Sequence, residues 1–269
     1  MSEKTGPYVF VVGNEKGGAG KTTCTMHLIA GLLDKGYKVS SIDVDCRQGS
    51  LSRYIENRRR YNEENPDYTV PMPTHYLLAE SKLDSQKEKQ EEEATIFESI
   101  INKAKEESDF VVVDTPGTYT FLSSTAHSYA DTVITPINDS FVDIDVMAKI
   151  DPSTMKVVGP SIYSQMIWEQ KMAKAQRGGG SIDWVVMRNR LGSVDAKNRH
   201  NVAKVLDELA KRVAFRQAPG FGERVIFREL FLTGLTLLDL KKSSYSKSFS
   251  LSHIAAKQEL QNLFGILGL

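Results

Sequence analysis

The chain has 269 residues, with 34 Lys plus Arg and 34 Asp plus Glu, so its formal net charge is zero. Hydrophobic residues make up 41% and charged residues 25%, values that are typical of globular proteins and exclude wholesale disorder. Apolar runs are all shorter than the roughly 18 residues that a membrane-spanning helix needs, and the only cysteines, Cys24 and Cys46, form no disulfide framework. We expect one domain over residues 1–269 in a cytoplasmic protein without stable membrane insertion.

Short apolar runs alternate along the chain with longer helix-like stretches. This pattern predicts an α/β fold with a mostly parallel, twisted sheet and helices on both faces. The first strand is predicted over residues 8–13, and residues 22–35 place Met26, Ile29 and Leu33 on one face of a helix. Further strands are predicted over residues 38–43, 109–114, 132–137 and 183–189, with weaker candidates over residues 213–218 and 235–240.

Two polar stretches interrupt this alternation. Residues 56–93 are charged and contain three prolines, and we interpret them as a surface insertion that runs into an amphipathic helix ending near Ser108. Residues 176–181 are predicted to form a flexible loop after a helix that contains Trp168. The C-terminal sequence AAKQELQNLFGILGL has a single cation, Lys257, so we predict a helix that packs on the domain, because binding to an anionic membrane surface favours several basic residues.

A glycine-rich segment, GNEKGGAGKTT, follows the first predicted strand and begins at Gly13. Glycines allow the backbone to wrap a phosphate chain, so that N–H groups and the start of the next helix point at the anion. In this interpretation Lys21 neutralises phosphate oxygens and the Thr22 hydroxyl contributes to a Mg²⁺ shell. The loop residues predicted to bind the nucleotide are Gly17, Gly18, Ala19, Gly20, Lys21, Thr22 and Thr23.

Two alternative interpretations of this segment are weaker. A chance glycine-rich turn is disfavoured by the position between a strand and a helix. A dinucleotide-binding fingerprint requires Gly or Ala where this chain has Thr23, and it does not account for the Gly-Lys-Thr sequence.

Carboxylates are predicted beside this loop at the ends of two parallel strands. Asp114 ends the strand DFVVVD and is placed to hold a water on Mg²⁺. The second strand ends at Asp43 and is followed by Val44 and Asp45, and a carboxylate there can orient the water that attacks the γ-phosphate. Strand-end aspartates are often only turn formers, but ligands bind at the carboxyl ends of parallel strands.

The sequence KGGAGKTT, with its extra lysine at Lys16, resembles the deviant Walker A loop of the ParA/MinD family of P-loop ATPases. The strings VVGNEKGGAGKTT, IDVDCRQ, DFVVVDTPG, NDSFVD, DWVVMRNR, RVIFRELF and GLTLLDL resemble those of the MipZ division-site positioning ATPases within it. The resemblance extends from about Tyr8 to Leu269 and implies a P-loop NTPase fold.

The resemblance also implies a nucleotide-driven cycle in which two subunits enclose two ATP molecules. In such a dimer Lys16 reaches the partner's nucleotide, Asp45 positions the attacking water, and Asn189 contacts adenine. Asp43 is then expected near Mg²⁺, together with Thr22 and Asp114. The implied partners are a ParB-type centromere-binding protein and FtsZ, whose assembly the ATPase restrains.

Non-specific DNA binding in the ATP state is a further implication of the resemblance, together with association with the nucleoid. Residues 188–216 carry eight Lys or Arg against three acids, a local balance of +5 that the acidic residues 88–109 offset. A basic stripe is usually a solvated helix face. The candidate DNA contacts are Arg190, Lys197, Arg199 and Lys204.

Two other functions stay open from the sequence. A ParA-type chromosome or plasmid segregation ATPase would move cargo with the same loop. An ATP-dependent small-acid ligase on the same fold would turn over only with an acid substrate and would not need ATP-dependent dimerisation.

Overall fold

The computed structural model of the protein describes residues 6–138, 140–151, 153–154, 157–191, 196–241 and 251–269. Seven strands in these ranges form one parallel sheet with the order β3-β2-β4-β1-β5-β8-β9, which confirms the predicted α/β fold. The seven strands are β1 (Tyr8–Val12), β2 (Val39–Asp43), β3 (Thr74–Leu77), β4 (Phe110–Asp114), β5 (Thr132–Asn138), β8 (Asp183–Asn189) and β9 (Arg216–Ala218).

Helices cover both faces of this sheet. On one face α1, α2 and α9 pack over β1, β4 and β8, with Leu28, Leu51 and Phe264 in the shared core. On the other face α3, α4, α6 and α7 pack around Phe97, Ile167 and Leu206. The helices are α1 (Lys21–Asp34), α2 (Ser50–Glu64), α3 (Gln86–Glu107), α4 (Phe121–His127), α5 (Phe141–Ile144), α6 (Ile162–Gln176), α7 (Ala196–Val213), α8 (Ile226–Thr233) and α9 (Leu251–Leu267).

The central strands form where consecutive apolar residues are buried on both faces. Val111, Val112 and Val113 of β4 are fully inaccessible to solvent, as expected for an inner strand of a parallel sheet. The two edge strands are the shortest of the seven, since β3 has four residues and β9 has three.

The charged segment 56–93 is partly built into the fold. It contains the second half of α2, all of β3, which pairs with β2, and the start of α3. Arg58 of α2 is buried, and its guanidinium donates to Asp239 and to the backbone oxygens of Pro71 and Gly234. The segment that resembled a surface insertion therefore supplies an edge strand and a buried ion pair.

The strand predicted over residues 235–240 is wrong. Residues 235–236 have no regular secondary structure, residues 237–238 form a turn, and Asp239–Lys241 is a short 3-10 helix. Leu235, Leu237 and Leu240 are buried beside α2 and α8, so their alternation comes from turns in which the Asp239 carboxylate accepts from the backbone and hydroxyl of Thr236.

A small hairpin lies outside the main sheet. Its strands β6 (Ala148–Ile150) and β7 (Val157–Pro160) pair in an antiparallel manner. The C-terminal helix α9 packs on the domain as predicted, with Leu260, Leu263 and Phe264 buried. Across the described ranges, every helix is too short or too polar to cross a membrane.

Candidate nucleotide site

The glycine-rich loop connects the end of β1 to the start of α1. Gly18 and Gly20 have φ angles of 75° and 86°, in the left-handed region that favours glycine. A Cβ on Gly20 would lie 2.0 Å from Nδ2 of Asn189. Position 20 therefore requires glycine for two reasons, its positive φ angle and its close approach to Asn189. Because α1 begins at Lys21, the unpaired N–H groups of its first turn face the loop and favour an anion there.

Two asparagine side chains hold the loop against the sheet. Asn189, at the end of β8, donates from Nδ2 to the backbone oxygen of Ala19 at 2.7 Å. Asn14 donates from Nδ2 to the oxygen of Pro136 at 2.7 Å, and its Oδ1 accepts from the backbone N–H of Lys16 at 2.9 Å. The loop shape is therefore fixed by β5 and β8 from within the same subunit.

The base of the loop rests on a buried hydrogen-bonded group. A Cβ on Gly13 would lie 2.2 Å from Nε2 of His127, so the close approach of the loop depends on this glycine. The His127 Nδ1 donates to the oxygen of Ser123, and its Nε2 accepts from the Tyr163 hydroxyl. Burial lowers the pKa of His127 to about 4, so the ring behind the loop is neutral near pH 7.

A cleft of about 540 Å³ opens at the loop. A smaller cavity of about 260 Å³ adjoins it and shares Gly20, Thr23 and Arg190 with it. The smaller cavity is also lined by Asn189 and by Phe227, so it offers an aromatic and an amide side chain beside the phosphate loop. The cleft itself is lined by Gly17, Gly18, Gly20, Lys21, Thr22, Thr23, Asp45, Arg47, Gln48, Ser50, Asp114, Thr115, Pro116, Gly117, Thr118 and Arg190.

Asp114 is a buried carboxylate at the floor of the cleft. Its Oδ2 accepts from the Thr22 hydroxyl at 2.7 Å and its Oδ1 accepts from the Thr25 hydroxyl at 3.0 Å. Burial, together with the nearby charge of Asp43, raises the pKa of Asp114 to about 7, although the two hydroxyls and Lys21 oppose this rise. A cation in the cleft would relieve this cost, because an opposite charge nearby favours the ionised carboxylate.

Lys21 is the cation nearest to these acids along the loop. Only 8% of the residue is exposed, and its Nζ donates to the backbone oxygen of Lys16 at 3.0 Å. Burial lowers the pKa of Lys21, and the charges of Asp114 and Asp45 partly oppose this. A buried ammonium beside a ring of backbone N–H groups is suited to phosphate oxygens.

Asp45 lies in the cleft wall, whereas Asp43 does not line the cleft. The Asp45 Oδ1 accepts from the backbone N–H of Gln48 at 3.0 Å. Asp43 is fully buried, and its two oxygens accept from the N–H of Asp45 and from the N–H and hydroxyl of Ser52. Burial raises the pKa of Asp43, opposed by these hydrogen bonds. Asp43 therefore braces β2 against α2 and lies beside Asp114, its direct partner on β4, without lining the cleft itself.

The side chain of Lys16 lies outside the cleft of its own subunit. Its Nζ is 3.0 Å from Oδ2 of Asp143, and 31% of the lysine side chain is exposed. Asp143 is held in turn by the Ser140 hydroxyl at 2.6 Å and by Nδ2 of Asn138 at 3.2 Å. Lys16 thus contributes its backbone oxygen to Lys21 and its ammonium to an acid on α5.

The ATPase MipZ family model matches residues 8–269. This chain belongs to the MipZ ATPase family. It is therefore a nucleotide-hydrolysing P-loop ATPase, in agreement with the loop geometry.

Known structures share this fold at low sequence identity. An ATP complex of McdA from Cyanothece has a TM-score of 0.64 and 17% identity, covering 99% of this chain and 98% of its own. A putative plasmid partition protein from Borrelia burgdorferi B31, bound to AMPPNP, has a TM-score of 0.57 and 17% identity, covering 97% of this chain and 98% of its own. The cell division ATPase MinD of Pyrococcus furiosus has a TM-score of 0.57 and 17% identity, covering 96% and 99%.

A curated relative is similar over part of its length. The putative replication protein A of Sinorhizobium fredii is 28% identical over 171 residues. The aligned region is 52% of this chain but only 42% of that protein, so the chain matches less than half of the relative.

Two of the four predicted DNA contacts of this MipZ-family chain, Arg190 and Lys204, have side chains that the structure describes. Arg190 lines both cavities of the nucleotide site and adopts a φ of 51°. Lys204 is exposed on α7, opposite the buried stripe that contains Val202 and Leu206. The side chains of Lys197 and Arg199 lie outside the described residues.

Sequence reasoning missed several residues of the site. Asp143, the ion-pair partner of Lys16, is the final residue of the quoted string NDSFVD, but nothing in that string indicates its contact. Asn14, which fixes the loop, stands within the motif itself at a position that tolerates many residues in glycine-rich loops. Arg47 in the cleft wall follows Asp45 by two positions, in the loop between β2 and α2, where no local pattern indicates its place in the site.

Proposed function

We propose that this chain is an ATP-driven dimerisation switch that binds DNA without sequence preference in its ATP state and positions the division site. In this cycle ATP closes a homodimer, the dimer acts on its partners, and hydrolysis releases it. The partners are a ParB-type centromere-binding protein and FtsZ, whose assembly the dimer restrains. The ATP-bound protein then associates with the nucleoid, and slow turnover would suit a timer.

The side-chain position of Lys16 carries this proposal. The cleft of one subunit is lined by Lys21 but not by the ammonium of Lys16, which is directed to Asp143 and is partly exposed. On dimerisation this partly exposed lysine would exchange its contact with Asp143 for the nucleotide of a second subunit. There it would stabilise negative charge that develops on the γ-phosphate, the role that an additional cation has in many phosphoryl transfers.

Within its own cleft the chain offers the groups that bind a nucleotide. The backbone of residues 17–20 and the N-terminus of α1 would bind the phosphates, with Lys21 on their oxygens. The oxygen donors of Thr22 and Asp114 fit Mg²⁺, which prefers one or two protein oxygens together with phosphate and water. When bound, Mg²⁺ would neutralise charge on the phosphates. The Asn189 amide beside the smaller cavity would contact adenine.

Asp45 is the proposed water-positioning residue. Its carboxylate lies in the cleft wall with Lys21 and accepts one backbone hydrogen bond from Gln48, which orients it. Positioning of a water by a fixed carboxylate accelerates such reactions by about 100-fold or more. Asp43 supports this geometry indirectly, because its Oδ1 holds the backbone N–H of Asp45 at 3.0 Å.

The first experiment compares Asp45→Ala and Lys16→Ala with the parent chain in ATP and Mg²⁺. Sedimentation velocity reports the dimer, and fluorescence anisotropy reports binding to a random-sequence DNA duplex. Asp45→Ala is expected to accumulate an ATP-bound, DNA-bound dimer with turnover about 100-fold lower. Lys16→Ala is expected to remain a monomer that still binds ATP.

The matched control is Lys35→Ala, because Lys35 is an exposed lysine at the far end of α1. This variant should dimerise like the parent. A parent chain that stays monomeric at saturating ATP and Mg²⁺ would overturn the switch, and turnover only with an added small acid would favour the ligase.

The second candidate is a ParA-type segregation ATPase. It is favoured by the fold similarity to a plasmid partition protein and by the partial match to a replication protein. Adding the ATP-bound Asp45→Ala dimer to assembling FtsZ separates the two functions. Shortened FtsZ polymers support division-site positioning, whereas unchanged polymers favour segregation.

A further inference from the structure

A second concave surface lies away from the nucleotide cleft, between α6, α7 and the hairpin strand β7. This groove has a volume of about 600 Å³, and the two sets of lining residues have no member in common. The groove is lined by Val157, Gly159, Pro160, Ser164, Gln165, Ile167, Trp168, Lys171, Trp184, Arg212, Val213 and Ala214.

The groove has an apolar wall that is open to solvent. Trp168 of α6 is 64% exposed, and it lines the groove together with the apolar residues Val157, Ile167 and Val213. Indole rings that are exposed at the edge of a concave surface are typical of binding sites, because tryptophan is enriched among the residues that dominate association energy.

The floor of the groove is a rigid, well-packed part of the core. Trp184 is almost fully buried, and its Nε1 donates to the Thr135 hydroxyl at 3.0 Å. Its ring also packs edge-on against Phe215 and Tyr163. A rigid floor lowers the ordering cost that a ligand must overcome on binding.

Two cations give the groove its charge. The Nζ of Lys171 lies 5.9 Å from the centroid of the Trp184 ring and makes one long hydrogen bond, 3.5 Å, to the backbone oxygen of Ala214. Arg212 donates to the oxygen of Val157 at 2.7 Å and pairs with Glu208 on its own helix. Among the described residues no carboxylate lines the groove itself, so its interior has positive charge beside apolar surface.

We propose that this groove binds an acidic peptide segment of a partner protein, with an apolar side chain of that segment packed against Trp168 and a carboxylate paired with Lys171. The Lys171 ammonium makes one long hydrogen bond, to Ala214, and the nearby Asp183, which is outside the groove lining, is paired with Arg216, so a ligand carboxylate would gain a charge-assisted hydrogen bond there. The concave, largely apolar lining favours an extended chain carrying a bulky residue. Binding at this surface does not depend on nucleotide, and so it goes beyond the ATPase switch.

The test selects ligands from a phage-displayed library of random twelve-residue peptides on the full chain without nucleotide. Selected peptides are expected to combine Asp or Glu with an aromatic or branched aliphatic residue. Their dissociation constants are then measured by fluorescence anisotropy. Trp168→Ala and Lys171→Glu should each weaken binding at least about tenfold, and added salt should weaken it further.

Two exposed residues provide matched controls. Leu232→Ala removes an apolar side chain that is 72% exposed on α8, and Lys35→Glu reverses an exposed lysine at the end of α1. Both variants should bind the selected peptides as the parent does. The proposal is overturned by any of three results: no enriched peptides, enriched peptides without carboxylates, or an affinity equal to that of the parent in both Trp168→Ala and Lys171→Glu. Because nucleotide is absent, these results are independent of whether the ATP-dependent dimer forms.

Discussion

Two buried aspartates on the α1 side of the molecule differ in how their charge is balanced. Asp239 faces Arg58, whose guanidinium donates to both of its oxygens at 2.8 and 2.9 Å, and Thr236 donates as well. Asp114 receives two neutral hydroxyls and lies near a second carboxylate, that of Asp43.

The pKa values of the two acids move in opposite directions. Burial alone would raise the pKa of Asp239, but the hydrogen bonds and charge of Arg58 lower it below its usual value. Burial and Asp43 raise the pKa of Asp114 to about 7. The charge of Asp239 is balanced by Arg58 within the chain. The charge of Asp114 at the phosphate loop is not fully balanced by the protein, as expected where a bound cation supplies the remaining positive charge.

Breaking the ion pair between Arg58 and Asp239 should have the largest effect on stability. Arg58→Met leaves the Asp239 carboxylate buried without its cation, and we expect a loss of about 3–5 kcal/mol in the free energy of unfolding. Urea denaturation measures this loss. Arg59→Met is the control, since the pair of Arg59 with Glu56 is exposed and should change stability by less than about 0.5 kcal/mol. Equal effects of the two substitutions would contradict the role of the buried pair.

Removing the charge of Asp114 should increase stability, the opposite of the effect expected for Arg58→Met. Asp114→Asn eliminates a buried carboxylate whose pKa is raised to about 7, so the nucleotide-free protein should gain about 4 kcal/mol of stability at pH 8, where the ionised carboxylate destabilises the folded state. The same substitution should abolish Mg²⁺-dependent ATP binding, as measured by isothermal titration calorimetry. Asp239→Asn should lower stability and leave ATP binding intact. A destabilised Asp114→Asn protein would remove the distinction between the two sites.

The smallest expected effect concerns the histidines of the two regions. His127 lies behind the phosphate loop and His27 lies beside Leu237 near the Arg58 pair, and burial lowers the pKa of each to about 4. A depressed histidine pKa means that the unfolded chain binds more protons below pH 6.5, so stability falls as pH falls from 6.5 towards 4. Each ring should contribute about 1.5 kcal/mol to this loss between pH 6.5 and 5.

The measurement is the slope of unfolding free energy against pH for His127→Gln and His27→Gln. Each variant should show a shallower acid decline than the parent, whatever its stability at pH 7. His253→Gln is the control, because His253 is only partly buried. If both variants keep the parent's slope of unfolding free energy against pH, the conclusion that His127 and His27 are buried in their neutral form is contradicted.

The sequence predicts well those elements whose conformation follows from the local pattern of apolar and glycine residues. The inner strands β1, β2, β4, β5 and β8 are short runs rich in branched residues, and the glycine loop lies between β1 and α1 as predicted. The edge strand β3, with the sequence THYL, has half-exposed side chains and no apolar run. Its strand conformation comes from pairing with β2, which no local pattern reveals.

Other errors arise where tertiary contacts decide the geometry. The alternating leucines of residues 235–240 resemble a strand, but the Asp239 carboxylate binds Thr236 and Arg58 and folds them into turns. The ion pair between Lys16 and Asp143 joins positions 127 residues apart. A motif locates Lys16 in the chain, but only the fold shows which acid its ammonium contacts.

The shortness of the two edge strands has a consequence for self-association. An exposed strand edge is a template for the addition of another chain, and long flat edges promote aggregation. β3 offers four residues and β9 offers three, so neither side of the sheet provides much backbone for such addition. Uncontrolled growth of the sheet through its edges is thereby disfavoured.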